Sequence, residues 1–288
     1  MIIIDYSGIA VAGFYAQTRG KQTPDENMLR HIILNTLRMY NLQFREQYGE
    51  VVIACDGGSW RKDIYPEYKA SRKKARESSG LDWAQFFEML TTIREEIRES
   101  IPWRVMHLDN VEADDIIATL IYETQEFGKD EPVMIVSADK DFFQLHKFNN
   151  VKQYSPMKKG LITEKDPIGY IREHVFRGDS SDGVPNVLSH DKVFVNEDDR
   201  QTPLSKKKIT EWINNYSNLA EVMPENVYRN FQRNQKMIDL EFIPMDIKLK
   251  ILETYNKSTI APNSKVLNYL VQKRCNNLVP SAQEFFKP

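Results

Sequence analysis

Three aspartates each come just past a short apolar run that has the composition of a buried strand. They are Asp5, Asp56 and Asp139. Because the carboxyl ends of parallel strands meet at one edge of a sheet, we expect these side chains to converge there. Carboxylates held close together raise one another's pKa values unless cations bind between them. The pattern therefore predicts a cation site at that edge.

Further carboxylates are expected at the same edge, in the first turn of a helix, in a tight turn and in a glycine-bounded loop: Glu112, Asp114, Asp115, Asp141, Asp179 and Asp182. An all-oxygen set without His or Cys suits Mg²⁺, or Mn²⁺ as a substitute, rather than zinc. Two such ions about 3.5–4 Å apart can hold the attacking and leaving oxygens of a phosphodiester. For any single aspartate a turn or cap role is the alternative, most of all for Asp115, which would complement the helix dipole.

A basic and aromatic segment, residues 60–76, follows Asp56. It carries seven basic residues against two acidic ones, a net charge of +5 in a chain whose net charge is −2. Cations that neutralise phosphates beside rings that stack on unpaired bases are typical of single-strand binding. The residues assigned to this role are Arg61, Lys62, Tyr65, Tyr68, Lys73, Lys74 and Arg76. Lys69 and Arg72, three apart, should share a helical face and contact the scissile phosphate.

The alternative for this segment is a solvated basic helix whose aromatic residues serve packing. Its position directly after Asp56 favours the nucleic-acid role. A second basic cluster stands at a predicted helix start: Lys206, Lys207 and Lys208. It predicts contact with duplex phosphates, and an exposed helix end is the equal alternative.

The periodicity of apolar residues predicts an α/β fold. Strands are expected at residues 2–4, 51–55, 103–108, 133–137 and about 151–154, with a turn at 158–160. Amphipathic helices are expected from a capping box at Thr23, Pro24 and Glu26 to residue 40, at 81–100 and at 112–127. The alternation implies a mostly parallel central sheet with helices on both faces, followed by segments that are only helical. We place an α/β domain at 1–183, with a basic arch at about 57–80, and a smaller helical region at 184–288.

Composition is typical of a soluble globular protein, with 41% apolar and 28% charged residues. The two cysteines are too few for a disulfide framework and favour a reducing compartment. No run of 18 apolar residues occurs, so no membrane span is predicted. We therefore expect a cytoplasmic protein.

Five motifs, in this order and spacing, resemble those of the flap endonuclease and 5′-3′ exonuclease superfamily. They are Asp56-Gly57-Gly58, Pro66-Glu67-Tyr68-Lys69-Ala70-Ser71-Arg72, Glu112-Ala113-Asp114-Asp115, Ser137-Ala138-Asp139-Lys140-Asp141 and Gly178-Asp179-Ser180-Ser181-Asp182. Residues 151–157 and the charged stretch through Arg200, Thr202 and Pro203 are similar to the ribonuclease H branch of T-even phages. The residues after Asp182 depart from the glycine-rich, potassium-binding hairpin of most members.

The resemblance implies a PIN-like 5′-nuclease fold and a phosphodiester hydrolase that uses two Mg²⁺ ions and leaves a 5′-phosphate. It implies one metal site from Asp5, Asp56, Glu112 and Asp114, and another from Asp114, Asp139, Asp141 and Asp182. It also implies that Tyr68, Lys69 and Arg72 belong to an arch that receives a free 5′ end, where Lys69 polarises the scissile phosphate. The helical region at 184–288 would bind DNA.

The implied function is a 5′-to-3′ exonuclease and flap endonuclease on RNA–DNA and DNA duplexes that removes RNA primers from lagging-strand fragments, as a phage protein in the host cytoplasm. Its partners would be branched or nicked DNA and RNA–DNA duplexes, with a single-stranded-DNA-binding protein and a sliding clamp as further candidates. For the clamp, Gln283-Glu284-Phe285-Phe286 faintly resembles an anchoring peptide, and packing into its own domain is the favoured alternative. We expect a monomer.

Two other functions fit parts of the pattern. A structure-specific DNA-binding protein could keep the fold without catalysis, but none of the expected carboxylates is replaced. A phosphatase or a small toxin-type ribonuclease also uses clustered aspartates on an α/β sheet. The basic insertion after Asp56 and the helical C-terminal third argue against that class.

Overall fold

The computed structural model describes residues 1–18, 25–196 and 198–287. Within them, one sheet has the order β3-β2-β1-β4-β5-β6. Its strands are β1 (Ile2–Asp5), β2 (Val51–Cys55), β3 (Arg104–His107), β4 (Val133–Val136), β5 (Val151–Ser155) and β6 (Gly160–Ile162). The first five are parallel, and β6 is antiparallel to β5. The chain changes direction across the sheet between β1 and β4, and the carboxyl ends at such a switch point form a ligand crevice.

The described helices are α1 (Tyr6–Thr18), α2 (Glu26–Tyr48), α3 (Arg61–Ile64), α4 (Ser71–Ser78), α5 (Trp83–Ser100), α6 (Ala113–Gln125), α7 (Pro167–Arg177), α8 (Lys206–Asn214), α9 (Leu219–Val222), α10 (Glu225–Ile238), α11 (Met245–Lys257) and α12 (Ser264–Gln272). Short 3₁₀ helices occupy Glu126–Gly128, Asp141–Lys147, Tyr216–Asn218, Leu240–Phe242 and Val279–Phe285. No described helix has both the length and the apolar character needed to cross a membrane. The predicted α/β class, with helices around a mostly parallel sheet, is confirmed.

The prediction missed two elements. The single helix expected between the first two strands is in fact α1 and α2. Helix α1 follows β1 without a loop, and its apolar residues are spread around it rather than gathered in a stripe. Strand β6 is only three residues long, too short to show a period. The expected capping box lies partly outside the described residues, and Asp25 caps α2 by accepting from the Met28 amide.

Each face of the sheet is covered by helices. Alternate residues of β1 point to opposite sides, so that Ile2 and Ile4 pack in a core with α1, α2 and α5. Ile3 packs on the other side in a core with α6 and α11. These β1 side chains are fully buried, as expected for central strands of a parallel sheet. The sheet that carries the carboxyl edge is therefore packed between two cores.

The C-terminal helices do not form a separate core at the predicted boundary. A third core joins α7, α8 and α10 to Tyr65 and Tyr68 of the basic segment, while α12 packs into the first core and α11 into the second. Phe285 is fully buried and its ring stacks on Trp103 with centroids 5.5 Å apart. Phe285 is therefore not available as an exposed clamp anchor, and the packing alternative is correct. The division at residue 183 stays a prediction.

Candidate active site

Five carboxylates meet at the carboxyl edge of the sheet and form what we call the acidic centre: Asp5, Asp56, Asp114, Asp139 and Asp141. Asp5 ends β1, Asp56 directly follows β2, and Asp139 lies three residues past β4. Asp114 stands in the first turn of α6. All five line one open cavity of about 1790 Å³. The predicted convergence is present, and the role of each residue as a metal ligand stays a prediction.

Asp5 is held by two hydrogen bonds from neighbouring elements. The Gly8 amide donates to Asp5 Oδ1 at 2.9 Å, and the Ser137 hydroxyl donates to Asp5 Oδ2 at 3.0 Å. A Cβ atom at Gly8 would lie 2.4 Å from Asp5 Oδ2, so only glycine leaves the carboxylate room to fold back over the start of α1. Ser137 Oγ also accepts from the Asp139 amide at 3.1 Å. Ser137 therefore links the ends of β1 and β4.

Asp56 is placed beside the start of α6. Its Oδ1 accepts from the Ala113 amide at 3.0 Å, where the helix dipole favours negative charge. The next residue must be Gly57, because a Cβ atom there would lie 1.9 Å from the Leu108 carbonyl oxygen. The Gly57 amide donates to the Val111 carbonyl at 2.8 Å. This close passage brings the end of β2 against the end of the loop after β3.

In the acidic centre, the charged forms of Asp5, Asp114 and Asp141 are disfavoured. Burial and the charge of Asp56 raise the pKa of Asp5 to about 6. Burial and the charge of Asp139 raise the pKa of Asp141 to about 7 and hold the pKa of Asp114 well above its ordinary value. Such mutual repulsion is relieved when cations bind between carboxylates. The electrostatics therefore favour cation binding at neutral pH.

Glu112, the N-cap of α6, lies beside the acidic centre but already has cationic partners. Its Oε1 accepts from Lys69 Nζ at 2.5 Å, and its Oε2 accepts from Arg61 Nη1 at 2.7 Å. Burial would raise the pKa of Glu112, but Lys69 and Arg61 outweigh it and lower that pKa. Glu112 is thus ionised and paired. It can join a metal site only if Lys69 moves away.

Asp115 has structural partners in this structure, and its role as a metal ligand stays a prediction. It is fully buried, and it lies 2.9 Å from Arg61 Nη2. Its Oδ2 accepts from the Trp60 indole at 3.0 Å and from the Glu112 amide at 3.1 Å. These partners use both carboxylate oxygens for capping α6 and anchoring the basic segment. The cap alternative weighed for Asp115 is the one that the geometry favours.

The loop after α7 brings Asp179 and Asp182 to the site. Asp179 Oδ1 accepts from the Ser181 amide at 2.8 Å and from its hydroxyl at 2.6 Å. Asp182 is buried, accepts from the Tyr68 hydroxyl at 2.9 Å, and pairs with Arg72 and with Lys69. Asp182 therefore faces the cations of the basic segment in this structure.

Lys69 and Arg72 both reach the site, but only Arg72 lies in a helix. Lys69 has a positive φ of 57° and precedes α4, whereas Arg72 lies within that helix. The expectation that both share one helical face is therefore wrong. The Lys69 amide donates to the Asp182 carbonyl at 2.7 Å, which fixes the turn. Burial would lower the pKa of Lys69, but Asp182 and Glu112 raise it, so the ammonium stays charged.

Three residues assigned to nucleic-acid contact are buried, which corrects that assignment. Arg61, Tyr65 and Tyr68 are 2%, 4% and 3% exposed. Arg61 is held between Glu112 and Asp115, and the Tyr65 hydroxyl donates to the Asp191 carbonyl at 2.5 Å. Their partners come from distant parts of the chain, which a local charge pattern does not reveal. They fix the base of the segment instead of lining its surface.

The remaining basic residues are accessible. Lys62, Lys73 and Arg76 are exposed, and the side chain of Lys74 lies outside the described residues. The cluster at the start of α8 is exposed at Lys206 and Lys207 and partly exposed at Lys208, which pairs weakly with Glu211. The contact of this cluster with duplex phosphates stays a prediction.

His174 is a site residue that the sequence analysis missed. Its Nε2 lies 3.5 Å from Asp179 Oδ2, and its Nδ1 lies 3.9 Å from Asp141 Oδ1. Nδ1 is buried and makes no hydrogen bond to a described residue. Burial would lower the pKa of His174, but the hydrogen bond with Asp179 and the charge of Asp141 raise it. The one sequence signal is its position a single helical turn before Gly178 and Asp179.

The geometry fits divalent cations. Two groups of three side chains each offer ligand atoms within 4.8 Å of one another, Asp114 with Asp139 and Asp141, and Asp141 with His174 and Asp179. Because Asp141 belongs to both groups, the two positions are adjacent. Carboxylate oxygens suit Mg²⁺ or Mn²⁺. The histidine adds a nitrogen that the all-oxygen prediction did not contain.

Comparison with known proteins identifies the family. Residues 1–173 match the family model of the 5′-3′ exonuclease N-terminal resolvase-like domain, and residues 168–285 match that of the T4 RNase H C-terminal domain. The chain belongs to the 5′-3′ exonuclease family. It is similar to the ribonuclease H of enterobacteria phage T4, with 34% identity over 98% of this chain and 95% of that protein. It is also 27% identical to the 5′-3′ exonuclease of Buchnera aphidicola, over 88% and 92% of the two chains.

Solved structures share the fold of this 5′-3′ exonuclease family member. The T5 5′-exonuclease with bound divalent zinc superposes with a TM-score of 0.62 at 17% identity, covering 90% of this chain and 98% of that one. A T5 flap endonuclease complex with DNA and metal ions superposes with a TM-score of 0.60 at 16% identity, covering 89% and 99%. The family membership makes this protein a nuclease, a phosphodiester hydrolase.

Proposed function

We propose that the protein is a Mg²⁺-dependent 5′-to-3′ exonuclease and flap endonuclease that acts on branched or nicked DNA and RNA–DNA duplexes and removes RNA primers. The observation that carries this proposal is the position of the acidic centre beside Lys69 and Arg72. The carboxylates need divalent cations, and the two basic side chains offer positive charge to a phosphate at the same edge. The similarity to the T4 ribonuclease H supports a substrate that contains RNA.

The chain's own residues provide positioning and charge in this reaction. Lys69 is 17% exposed and stays cationic, so it can bind a phosphate oxygen without gaining or losing a proton. The Arg72 side chain is 43% exposed and can contact a neighbouring phosphate with its planar guanidinium. Divalent cations, when bound, would neutralise the phosphodiester and lower the pKa of a water nucleophile. The acidic centre would hold these cations.

Phosphate binding must compete with existing ion pairs. Lys69 contacts Glu112 and Asp182, and Arg72 contacts Asp182. An approaching phosphate would replace these carboxylates as the anionic partner and release them toward the cation positions. Substrate and cation binding are therefore expected to strengthen each other.

The test is cleavage of a 5′-labelled flap and of a nicked duplex carrying an RNA primer, with and without Mg²⁺. The wild type should release short 5′ products only with Mg²⁺, and Asp139→Asn should lose on the order of 100-fold or more in rate. Asp166→Asn is the matched control, since Asp166 caps α7 by accepting from the Gly169 amide and is not one of the acidic-centre carboxylates. Faster release of RNA than of an otherwise identical DNA primer would support the primer role.

The alternative is a catalytically inactive structure-specific DNA-binding protein. It would be favoured if wild type and Asp139→Asn both bound the flap with similar affinity and neither cleaved it at any Mg²⁺ or Mn²⁺ concentration. Cleavage that is equal in wild type and Asp139→Asn would instead remove the acidic centre from the mechanism.

A further inference from the structure

The open cavity lined by the acidic centre, which we call the groove, extends to a pair of aromatic side chains at the start of α5. Trp83 and Phe87 are one helical turn apart, and their ring centroids lie 5.7 Å from each other with planes tilted by 32°. Both are partly exposed. They line the same cavity as Asp5, Asp56, Asp114 and Asp139. A substrate held at the carboxylates can therefore reach these rings without leaving the groove.

The rings are held in place from behind. The Trp83 indole donates to the Ser79 hydroxyl at 2.7 Å, and its ring meets Phe86 edge-on at 5.6 Å. Phe86 is buried and belongs to the core on that side of the sheet. Asp82 caps the helix by accepting from the Gln85 amide. A rigid aromatic surface loses little conformational entropy when a ligand stacks on it.

A cation lies over this surface. Arg76 of α4 has its guanidinium carbon 4.9 Å from the Phe87 centroid and 5.8 Å from the Trp83 centroid. Arg76 is exposed, and within the described residues its guanidinium contacts these rings and no carboxylate. The guanidinium can turn toward a phosphate, and the ring face beside it can stack on a base. Together they offer one contact for each of these two parts of a nucleotide.

We propose that Trp83 and Phe87 form a stacking platform for one unpaired base of the nucleic acid, with Arg76 on the adjoining phosphate. This inference rests on the proposed function. The aromatic residues of the basic segment cannot fill this role, because Trp60, Tyr65 and Tyr68 are each at most 5% exposed. Since every base has a π-face, the platform does not distinguish sequence and accepts RNA and DNA alike. It distinguishes a single-stranded 5′ branch from a blunt duplex, whose bases are already stacked on one another.

The fluorescence of Trp83 can report the stacking of a base on this platform. Of its four tryptophans, Trp60, Trp103 and Trp212 are 5%, 1% and 1% exposed, and Trp83 is the partly exposed one. Stacking of a base on the ring should therefore quench the fluorescence of Trp83 first. The full chain would be titrated with a 5′-flap duplex, a blunt duplex of the same sequence, and the flap duplex with abasic sites in the single strand. Ca²⁺ would replace Mg²⁺, with substrate integrity checked on a gel.

We expect quenching by the flap, little by the blunt duplex and little by the abasic flap, which keeps the phosphates but has no bases. By fluorescence anisotropy of labelled DNA, Trp83→Leu should weaken flap binding about 10-fold and abasic-flap binding hardly at all. Trp83→Phe, which keeps a ring, should retain most of the affinity. Phe242→Leu removes an exposed aromatic outside this groove and is the matched control. Thermal melting would verify that each variant folds.

Three results would overturn the platform. Equal flap affinity in the wild type and Trp83→Leu, with no quenching, would leave the nuclease proposal intact and remove the platform. Equal weakening of the flap and the abasic flap would assign Trp83 a packing role. If the wild type bound none of the three substrates in the anisotropy measurement, both the proposed function and the platform would be wrong.

Discussion

Replacing Asp5 with asparagine is expected to stabilise the cation-free protein. Burial and the charge of Asp56 raise the pKa of Asp5 from 3.8 to about 6, so the folded state disfavours the ionised carboxyl. One pKa unit corresponds to about 1.4 kcal/mol, and the shift therefore costs about 3 kcal/mol at pH 8. Asparagine avoids this cost but accepts less well from Gly8 and Ser137, a loss of about 1 kcal/mol. The expected net gain in unfolding free energy is about 2 kcal/mol.

The stability advantage of Asp5→Asn over the wild type is expected to grow as the pH rises. Well below pH 3.8 Asp5 is protonated in the folded and unfolded states, and the wild type has no penalty. As the pH rises from 3.8 through about 6, the unfolded chain releases the proton first, and the wild type loses stability. Before the hydrogen-bond loss is subtracted, the advantage of Asp5→Asn should grow from about 1.5 kcal/mol at pH 5 to about 3 kcal/mol at pH 8.

Urea unfolding in EDTA, followed by circular dichroism at pH 5 and pH 8, measures both quantities. Asp166→Asn is a close control, because the Asp166 and Asp5 carboxylates each accept from an amide three residues later at 2.9 Å. We expect little change in that control at either pH. Mg²⁺ should stabilise the wild type more than Asp5→Asn, because cation binding to the folded state adds to its stability. An Asp5→Asn variant less stable than wild type at pH 8 would refute the reasoning.

Three further outcomes follow from the site and the core. Lys69→Met should reduce flap cleavage by about 100-fold or more, since it removes a preorganised positive charge; single-turnover rates at saturating enzyme would measure this, and an unchanged rate would contradict it. His174→Gln should weaken Mn²⁺ binding about 10–100-fold, as measured by calorimetry, because His174 lies 3.5 Å from Asp179; an unaltered titration would exclude His174 from the cation site. Phe285→Ala should lower the unfolding free energy by about 3–5 kcal/mol in urea titrations, and a change below about 1 kcal/mol would mean that the ring is not packed as described.

The location of the acidic centre could be predicted because it depends on local patterns and one rule of topology. An apolar run that ends in aspartate marks a buried strand and its carboxyl end, as at Asp5 and Asp56. The parallel alternation of strands and helices then brings these ends to one edge. No contact between particular residues far apart in the sequence has to be known for this prediction. The same reasoning explains why the fold class was correct although α1 and β6 were missed.

The partners of each charged side chain could not be predicted, because they come from distant parts of the sequence. Arg61 is buried by Glu112 and Asp115, which lie about fifty residues later in the chain. His174 approaches Asp141 only because α7 packs against the 3₁₀ helix that follows β4. A run of basic residues looks equally exposed at every position. Burial therefore separates Arg61 and Tyr68, which hold the segment in place, from Lys62 and Arg76, which face solvent.

The ion pairs of Lys69 limit what this residue can do in the proposed reaction. The pKa of its ammonium is raised by Asp182 and Glu112 against the effect of burial, so it does not release a proton near neutral pH. It cannot then serve as a general base, and as an acid it would be far weaker than water bound to a divalent cation. What remains is electrostatic stabilisation of the phosphate by a fixed charge. Lys69→Arg, which keeps the charge, should therefore retain more activity than Lys69→Met, and equal rates for the two variants would show that the geometry of the ammonium matters more than its charge.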